Sequence, residues 1–286
     1  MNMGLFSDVE KMGLGDVDIN KVFKEEEKNV ETAGESEQAT VKEEKKEEDV
    51  LFDKSYQCPI CDKAFKTKAV RTGKVKLVDQ DDELRPIYEN HIDPLKYDAI
   101  ICPRCGYAAL TRYYKPVTTA QLRLIKQEYC AKFKGIPEET PCMSYQGALL
   151  RHKLALVCAL KRNAKNSEKA YIFLKMAWLL RGELETMPER DSTRAEKQQE
   201  EHECIAKAYE GFVAAFSKET FPMCGMDEVS IRYIMAVLAH RLGKLEDSVR
   251  MLAPVLNSRT ASKRIKDKAL ALKETIREEV YGNKKR

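Results

Sequence analysis

The sequence predicts a mostly α protein, in which a small four-cysteine β module precedes an α-helical repeat domain. Three observations carry that expectation. Two C-x-x-C pairs lie in a stretch of strand-forming and turn residues, the chain after Pro116 places apolar residues at helical spacing, and one helix-pair pattern recurs at a fixed offset. With 286 residues, 43% of them hydrophobic, the chain is long enough for one or two cores of ordinary size.

Residues 1–52 form the acidic N-terminal segment. Positions 1–50 hold fifteen acidic residues against seven lysines, so a formal −8 here is set against +12 over the remainder, and the overall +4 conceals the split. The stretch VFKEEEKNVETAGESEQATVKEEKKEED (22–49) has too little apolar surface to offset the entropy of ordering it and reads as a disordered linker. Upstream, Leu5, Phe6, Val9 and Met12 stand at helical spacing, which permits a short amphipathic helix over 3–13. So short a helix is marginal alone, and a frayed terminus is the favoured reading. No basic leader precedes an apolar run, and the longest strongly apolar stretch, LALVCAL (154–160), is too short to span a bilayer. The expectation is a soluble, cytoplasmic protein with no membrane partner. Its nine cysteines should then be thiols or metal ligands rather than disulfides.

Residues 53–116 carry the cysteine pairs. YQCPICDKAF supplies Cys58 and Cys61; ICPRCGYAAL supplies Cys102 and Cys105. A C-x-x-C followed by Gly or a turn-forming polar residue folds as a tight knuckle with backbone N–H groups aimed at the sulfurs, and two knuckles give a tetrahedral four-sulfur cage. Such a cage suits structural Zn²⁺, because four protein ligands leave no open position, and calcium or magnesium would want oxygen donors instead. Iron in the same cage and a redox C-x-x-C are the alternatives. The forty residues between the pairs exceed the commonest short-ribbon spacing, but they read as foldable. A hairpin arm is predicted over 69–78 around Thr72-Gly73, an edge strand over 83–88 holding Pro86, and a strand over 96–103 that delivers the second knuckle. His91 reads as a surface histidine, since the thiols already complete a shell. A zinc-ribbon-like module this small should have the metal as its core. Lys66, Lys68, Arg71, Lys74 and Lys76 make a basic arm that invites nucleic acid, but the acidic DQDDE (79–83) follows at once, and a solvated hairpin is the simpler reading.

Residues 117–286 read as helices. Thr118 stands three residues before Gln121, a capping-box pattern, ahead of the stripe Leu122, Ile125, Tyr129 and Phe133, with Gly135 and Pro137 ending the helix. Leu150, Leu154, Val157 and Cys158 form one stripe and Ala170, Leu174, Ala177 and Trp178 another, with NAKNS turning between them: the packing logic of a tetratricopeptide-like pair. At an offset of 78 residues, Ser248, Leu252 and Val255 repeat the positions of Ala170, Leu174 and Ala177. Pro254 should bring a kink or a helix end. An inserted helix over 191–219 carries Ile205, Tyr209, Phe212 and Phe216, and a capping helix carries Ile265, Ala269, Leu272, Ile276 and Val280.

No catalytic pattern accompanies these helices: QEEHE fits neither a zincin nor a di-iron motif, and there is no phosphate-cradling glycine loop. Cys224 precedes a predicted helix whose dipole would lower its pKa, yet a packing or turn role is favoured, because no neighbouring base is identifiable. Taken together, the CPxC knuckles, CGYAAL, RHKLALVCALKRNAKNSEKAY, AWLLRG and FPMCGMDE resemble a bacterial family catalogued as domain of unknown function 2225. The resemblance implies a bacterial cytoplasmic protein with cysteine knuckles and helical repeats, and carries over no activity. The expectation is a non-enzymatic, zinc-ordered adaptor for a protein or peptide partner of acidic character. A nucleic-acid-binding ribbon is the first alternative and a thiol-dependent redox protein the second.

Overall fold

The computed structural model describes residues 5–14, 22–23, 46–89, 92–115, 117–136 and 141–282. Most of the linker reading (24–45) and His91 lie outside them. The described chain is mostly helical, with three small antiparallel strand pairs gathered before the long helices.

α1 (Ser7–Lys11) is docked rather than frayed. Leu5, Phe6, Val9 and Leu14 are each 5% exposed or less. Lys153 holds both Asp8 oxygens at 3.1 Å, its ammonium 6.0 Å from the Phe6 ring centroid. Further on, Lys169 donates to the Val22 carbonyl, and Phe23 lies against Phe173. A helix that is marginal alone becomes stable once tertiary packing covers its apolar face.

α2 (Glu47–Val50) leads directly into β1 (Leu51–Gln57), which pairs with β2 (Ala64–Val70). β3 (Leu77–Gln80) pairs with β4 (Pro86–Tyr88), and β5 (Ala99–Ile101) with β6 (Ala108–Leu110). The expected hairpin about Thr72-Gly73 is therefore absent. β2 already has its partner in β1, where Tyr56 opposite Phe65 gives a stacked pair at 6.0 Å, and Gly73 only joins one hairpin to the next. All six residues of β5 and β6 are 2% exposed or less, because the pair lies on α4 (Tyr145–Lys161). Apolar runs without alternation, AII and AAL, suit strands covered on both faces.

α3 (Thr119–Glu128) has the predicted capping box: the Thr118 hydroxyl accepts from the Gln121 N–H at 3.3 Å, and the Gln121 side chain accepts from the Thr118 N–H at 3.1 Å. The helix stops at Glu128, earlier than Gly135, and a 3₁₀ turn follows over Cys130–Lys132.

α4 and α5 (Asn166–Thr186) are buried around most of their circumference, as central helices are. α6 (Arg194–Phe216) packs along α5, with Ile205 and Phe212 fully buried. α7 (Glu228–Arg241) and α8 (Leu245–Asn257) form the second pair. Ala170, Leu174 and Ala177 and their offset counterparts Ser248, Leu252 and Val255 are all 1% exposed or less. The Ser248 hydroxyl is satisfied by the Ala236 carbonyl at 2.8 Å. The two turns share their geometry, though they stand two residues further apart than the stripes: Asn163 (φ 51°) and Gly243 (φ 70°) are left-handed, and the next N–H reaches back to Ala159 O at 2.8 Å and Ala239 O at 2.9 Å. Pro254 does not end α8, which runs on to Asn257. α9 (Lys263–Gly282) packs Ile265, Ala269, Leu272 and Ile276 against α7 and α8, but Val280, one turn further on, is 39% exposed and is not part of that cluster. One buried cluster runs from the knuckles into α4, α5, α6 and α7, so apolar packing is continuous across residue 117.

Candidate metal centre

Each cysteine pair is the loop of a hairpin, and the two loops are built alike. The β1–β2 ladder closes at Gln57 opposite Ala64, and the β5–β6 ladder at Ile101 opposite Ala108. In the first loop the Cys58 N–H donates to Lys63 O at 3.0 Å and the Asp62 N–H to Cys58 O at 2.9 Å. In the second, Cys102 donates to Tyr107 O and Gly106 to Cys102 O, both at 2.9 Å. Asp62 (φ 56°) and Gly106 (φ 75°) occupy equivalent left-handed positions directly behind the second sulfur. Asp tolerates that conformation because its short polar side chain bonds locally, here to Gln57 Nε2 at 2.5 Å; Gly has no Cβ to oppose it.

The fold brings all four sequence-predicted cysteines together. Cys58 Sγ lies 3.6 Å from Cys105 Sγ, Cys61 Sγ 3.7 Å from Cys102 Sγ, and all four sulfurs fall within 4.8 Å of one another. A tetrahedral ion with metal–sulfur bonds of about 2.3 Å needs sulfur separations of about 3.8 Å, close to the two shortest here, so the four sulfurs could hold a metal ion. Cys58 and Cys102 are fully buried, and the second cysteine of each pair is partly exposed. Within the cluster, hydrogen bonds from Cys102 and Cys105 drive the Cys58 thiol down to about 2, while Cys102, Cys130 and Cys58 together with burial push Cys105 up. Sulfurs so close cannot all ionise unaided, whereas a divalent cation would take the place of the shared protons.

Sequence reasoning missed what surrounds the cage. Behind it, Tyr107 packs on Tyr114 at 5.1 Å and Tyr114 meets Tyr56 at 5.8 Å. Ala108 N–H donates to Cys158 Sγ at 3.4 Å, tying β6 to α4. The end of α3 closes over the second knuckle: Tyr129 OH donates to Gly106 O at 2.9 Å, and a Cβ at residue 106 would stand 2.3 Å from Phe133. Cys130, in the same turn, is a fifth thiol beside Cys105, whose hydrogen bond lowers its pKa. Nothing in its spacing marks it. The expectation that metal is the module's whole core is thus corrected, because the second hairpin shares an aromatic and aliphatic core with the helices.

Several of the basic-arm cations are engaged within the protein: Lys68 pairs with Asp53 at 2.9 Å, Lys76 with Glu89 at 3.8 Å, and Arg71 lies 5.4 Å over the Phe52 ring. The arm itself is largely exposed, as a solvated segment is, whereas the acidic stretch after it is partly buried. Glu83 is 1% exposed and held by Arg181, Arg241 and the Trp178 indole at 2.7, 2.5 and 3.0 Å, while Asp81 bonds Arg85 and Arg181. Burial opposes the Glu83 charge, but the two guanidiniums prevail and lower its pKa. Cys224 holds a turn before α7. It has φ 52°, donates to Ser167 O at 3.2 Å, and burial pushes its thiol up to about 12, against any activation by the helix.

The fold and site together define a mostly helical protein bearing a half-buried four-cysteine cluster on paired knuckle hairpins. The chain belongs to the family described as an uncharacterised protein conserved in bacteria, domain of unknown function 2225, whose model matches residues 51–276. No curated protein and no solved structure matches it. Among the described residues no helix is long and apolar enough to cross a membrane.

Proposed function

We propose that this protein is a non-enzymatic cytoplasmic adaptor, in which a zinc-ordered knuckle module braces a tetratricopeptide-like helical body that takes a protein or peptide partner. The observation that supports it most is the cage of Cys58, Cys61, Cys102 and Cys105, whose sulfurs lie within 4.8 Å of one another. Four protein sulfurs leave no position for water or substrate, so zinc bound there works as a brace and not as a Lewis acid. An all-thiolate set favours zinc over harder cations, and a compartment that keeps thiols reduced preserves it. The 78-residue offset of the buried stripe, and a turn of the same geometry before each second helix, support the repeat reading. Solenoid pairs create concave binding surfaces, and the formal +12 beyond residue 50 favours an acidic partner.

The test joins two measurements on the full-length protein from its host. Elemental analysis should find one zinc per chain, and affinity capture should retain a specific protein that the Cys102→Ser variant fails to retain. Substoichiometric metal in fresh material removes the brace; absence of a specific partner across growth conditions removes the adaptor.

A further inference from the structure

A cleft of about 550 Å³ opens between the β3–β4 hairpin, α5, α7 and the start of α9. Small-molecule sites occupy roughly 300–1,000 Å³, and this cleft is bordered by the hairpin and by the 3₁₀ turn over Pro94–Tyr97, so its dimensions suit a compact ligand better than an extended chain. Its lining includes three aromatic side chains and two prolines: Pro86 and Tyr88 from the hairpin, Pro94 from the turn, and Tyr171 and Trp178 from α5, with the Lys175 ammonium 4.7 Å from the Tyr171 ring centroid. The last two rings meet edge to face at 85° with centroids 6.5 Å apart, and the indole is fixed by its bond to Glu83.

Two cations line the cleft, and they are committed differently. Lys175 is buried and bound to Asp98, which lines the same cleft, so that pair brings no net charge. Arg264 stands with its side chain 46% exposed, and its partner Asp79 is 65% exposed and does not line the cleft. A solvent-exposed ion pair contributes little, so a ligand anion can replace Asp79 at small cost. One weakly committed positive charge thus borders a cavity lined by aromatic and aliphatic side chains, an arrangement that suits an apolar ring carrying one anionic group.

We propose that this cleft binds a small aromatic carboxylate, with its ring among the tyrosine, tryptophan and proline side chains and its carboxylate on Arg264. The site is separate from the thiol cage and does not depend on the adaptor reading. Because the lining comes from the hairpin and from both helix pairs, an occupant bridges them.

Trp178 is the sole tryptophan of the chain, so its emission reports on the cleft directly. The full-length protein is titrated with phenylacetate, with the uncharged phenylacetamide, and with cyclohexylacetate, which keeps the charge but not the planar ring. The expected result is a saturable emission change with phenylacetate and affinities about tenfold weaker or worse for both comparators. Arg264→Gln should weaken phenylacetate about tenfold, since a charge-assisted bond is lost. Asp79→Asn removes the same surface pair but keeps the guanidinium, and should bind phenylacetate at least as well as the parent. No saturable response, equal responses to all three compounds, or equal loss in the two variants would each overturn the proposal.

Discussion

His152 on α4 is fully buried, its Nδ1 2.8 Å from the Ala148 carbonyl, while Nε2 has no partner among the described residues. Burial pushes its pKa down to about 4; Asp98 acts in the opposite direction, and Lys175 and Arg151 add to the fall. In the unfolded chain the ring titrates near 6.5, so the unfolded state binds the extra proton first as pH falls. Its contribution is whole above about pH 6.5 and is lost progressively toward pH 4, amounting to about 3 kcal/mol. Urea unfolding at several pH values should show this decline, and His152→Leu should flatten it over that interval; an unchanged slope in the variant would refute the assignment. Glu83 is the other buried residue with large leverage. Glu83→Ala strips Arg181, Arg241 and the Trp178 indole of a shared buried partner, leaving Glu201 to hold both guanidiniums, and should cost about 2–3 kcal/mol, read as a fall in the denaturation midpoint. The sequence held no sign of this role, because Arg181 and Arg241 lie 98 and 158 positions away.

Among the elements, what depended on short-range chemistry was legible and what depended on partner choice was not. Thr118 and Gln121 are three residues apart, so their capping box could be read directly, and each knuckle follows from Cys-x-x-Cys with Asp62 or Gly106 behind it. Strand pairing is a competition between segments: β2 chose β1 and its aromatic pair over the arm beyond Gly73. α1 looks too short to persist when read alone, because its docking surface on α4 is remote in sequence. Two glycines separate backbone strain from packing. Gly243 is left-handed, and a Cβ added there would meet nothing within 4 Å, so Gly243→Ala should cost about 1–2 kcal/mol, from conformation alone. Gly106 is left-handed with Phe133 in the way, so Gly106→Ala should cost about 2–4 kcal/mol as both penalties apply. Thermal melts of the two variants give the order; equal losses would mean that Phe133 moves aside freely.

Across the whole molecule, the thiol cage, β5–β6 and the long helices share one buried cluster, and this fixes what metal removal should do. An independent ribbon would unfold on chelation and leave the helices untouched. Here Cys102 is followed within six residues by Tyr107 and Ala108, both fully buried, and Ala108 is bonded to Cys158 on α4. Tyr129 and Phe133 press α3 onto the same knuckle. Releasing the four sulfurs therefore loosens the surface on which α3 and α4 pack, while the α5–α6 and α7–α8 contacts keep their own apolar cover. The expected outcome is that chelated protein retains most of its helical circular dichroism at low temperature but melts at a lower Tm, in one transition. Cys102→Ser should reproduce that shift more fully than Cys61→Ser, because Cys102 is fully buried and Cys61 partly exposed. If the helical melt were the same with and without metal, the cage would be an appendage, and the continuous core would have to be holding the helices without its help.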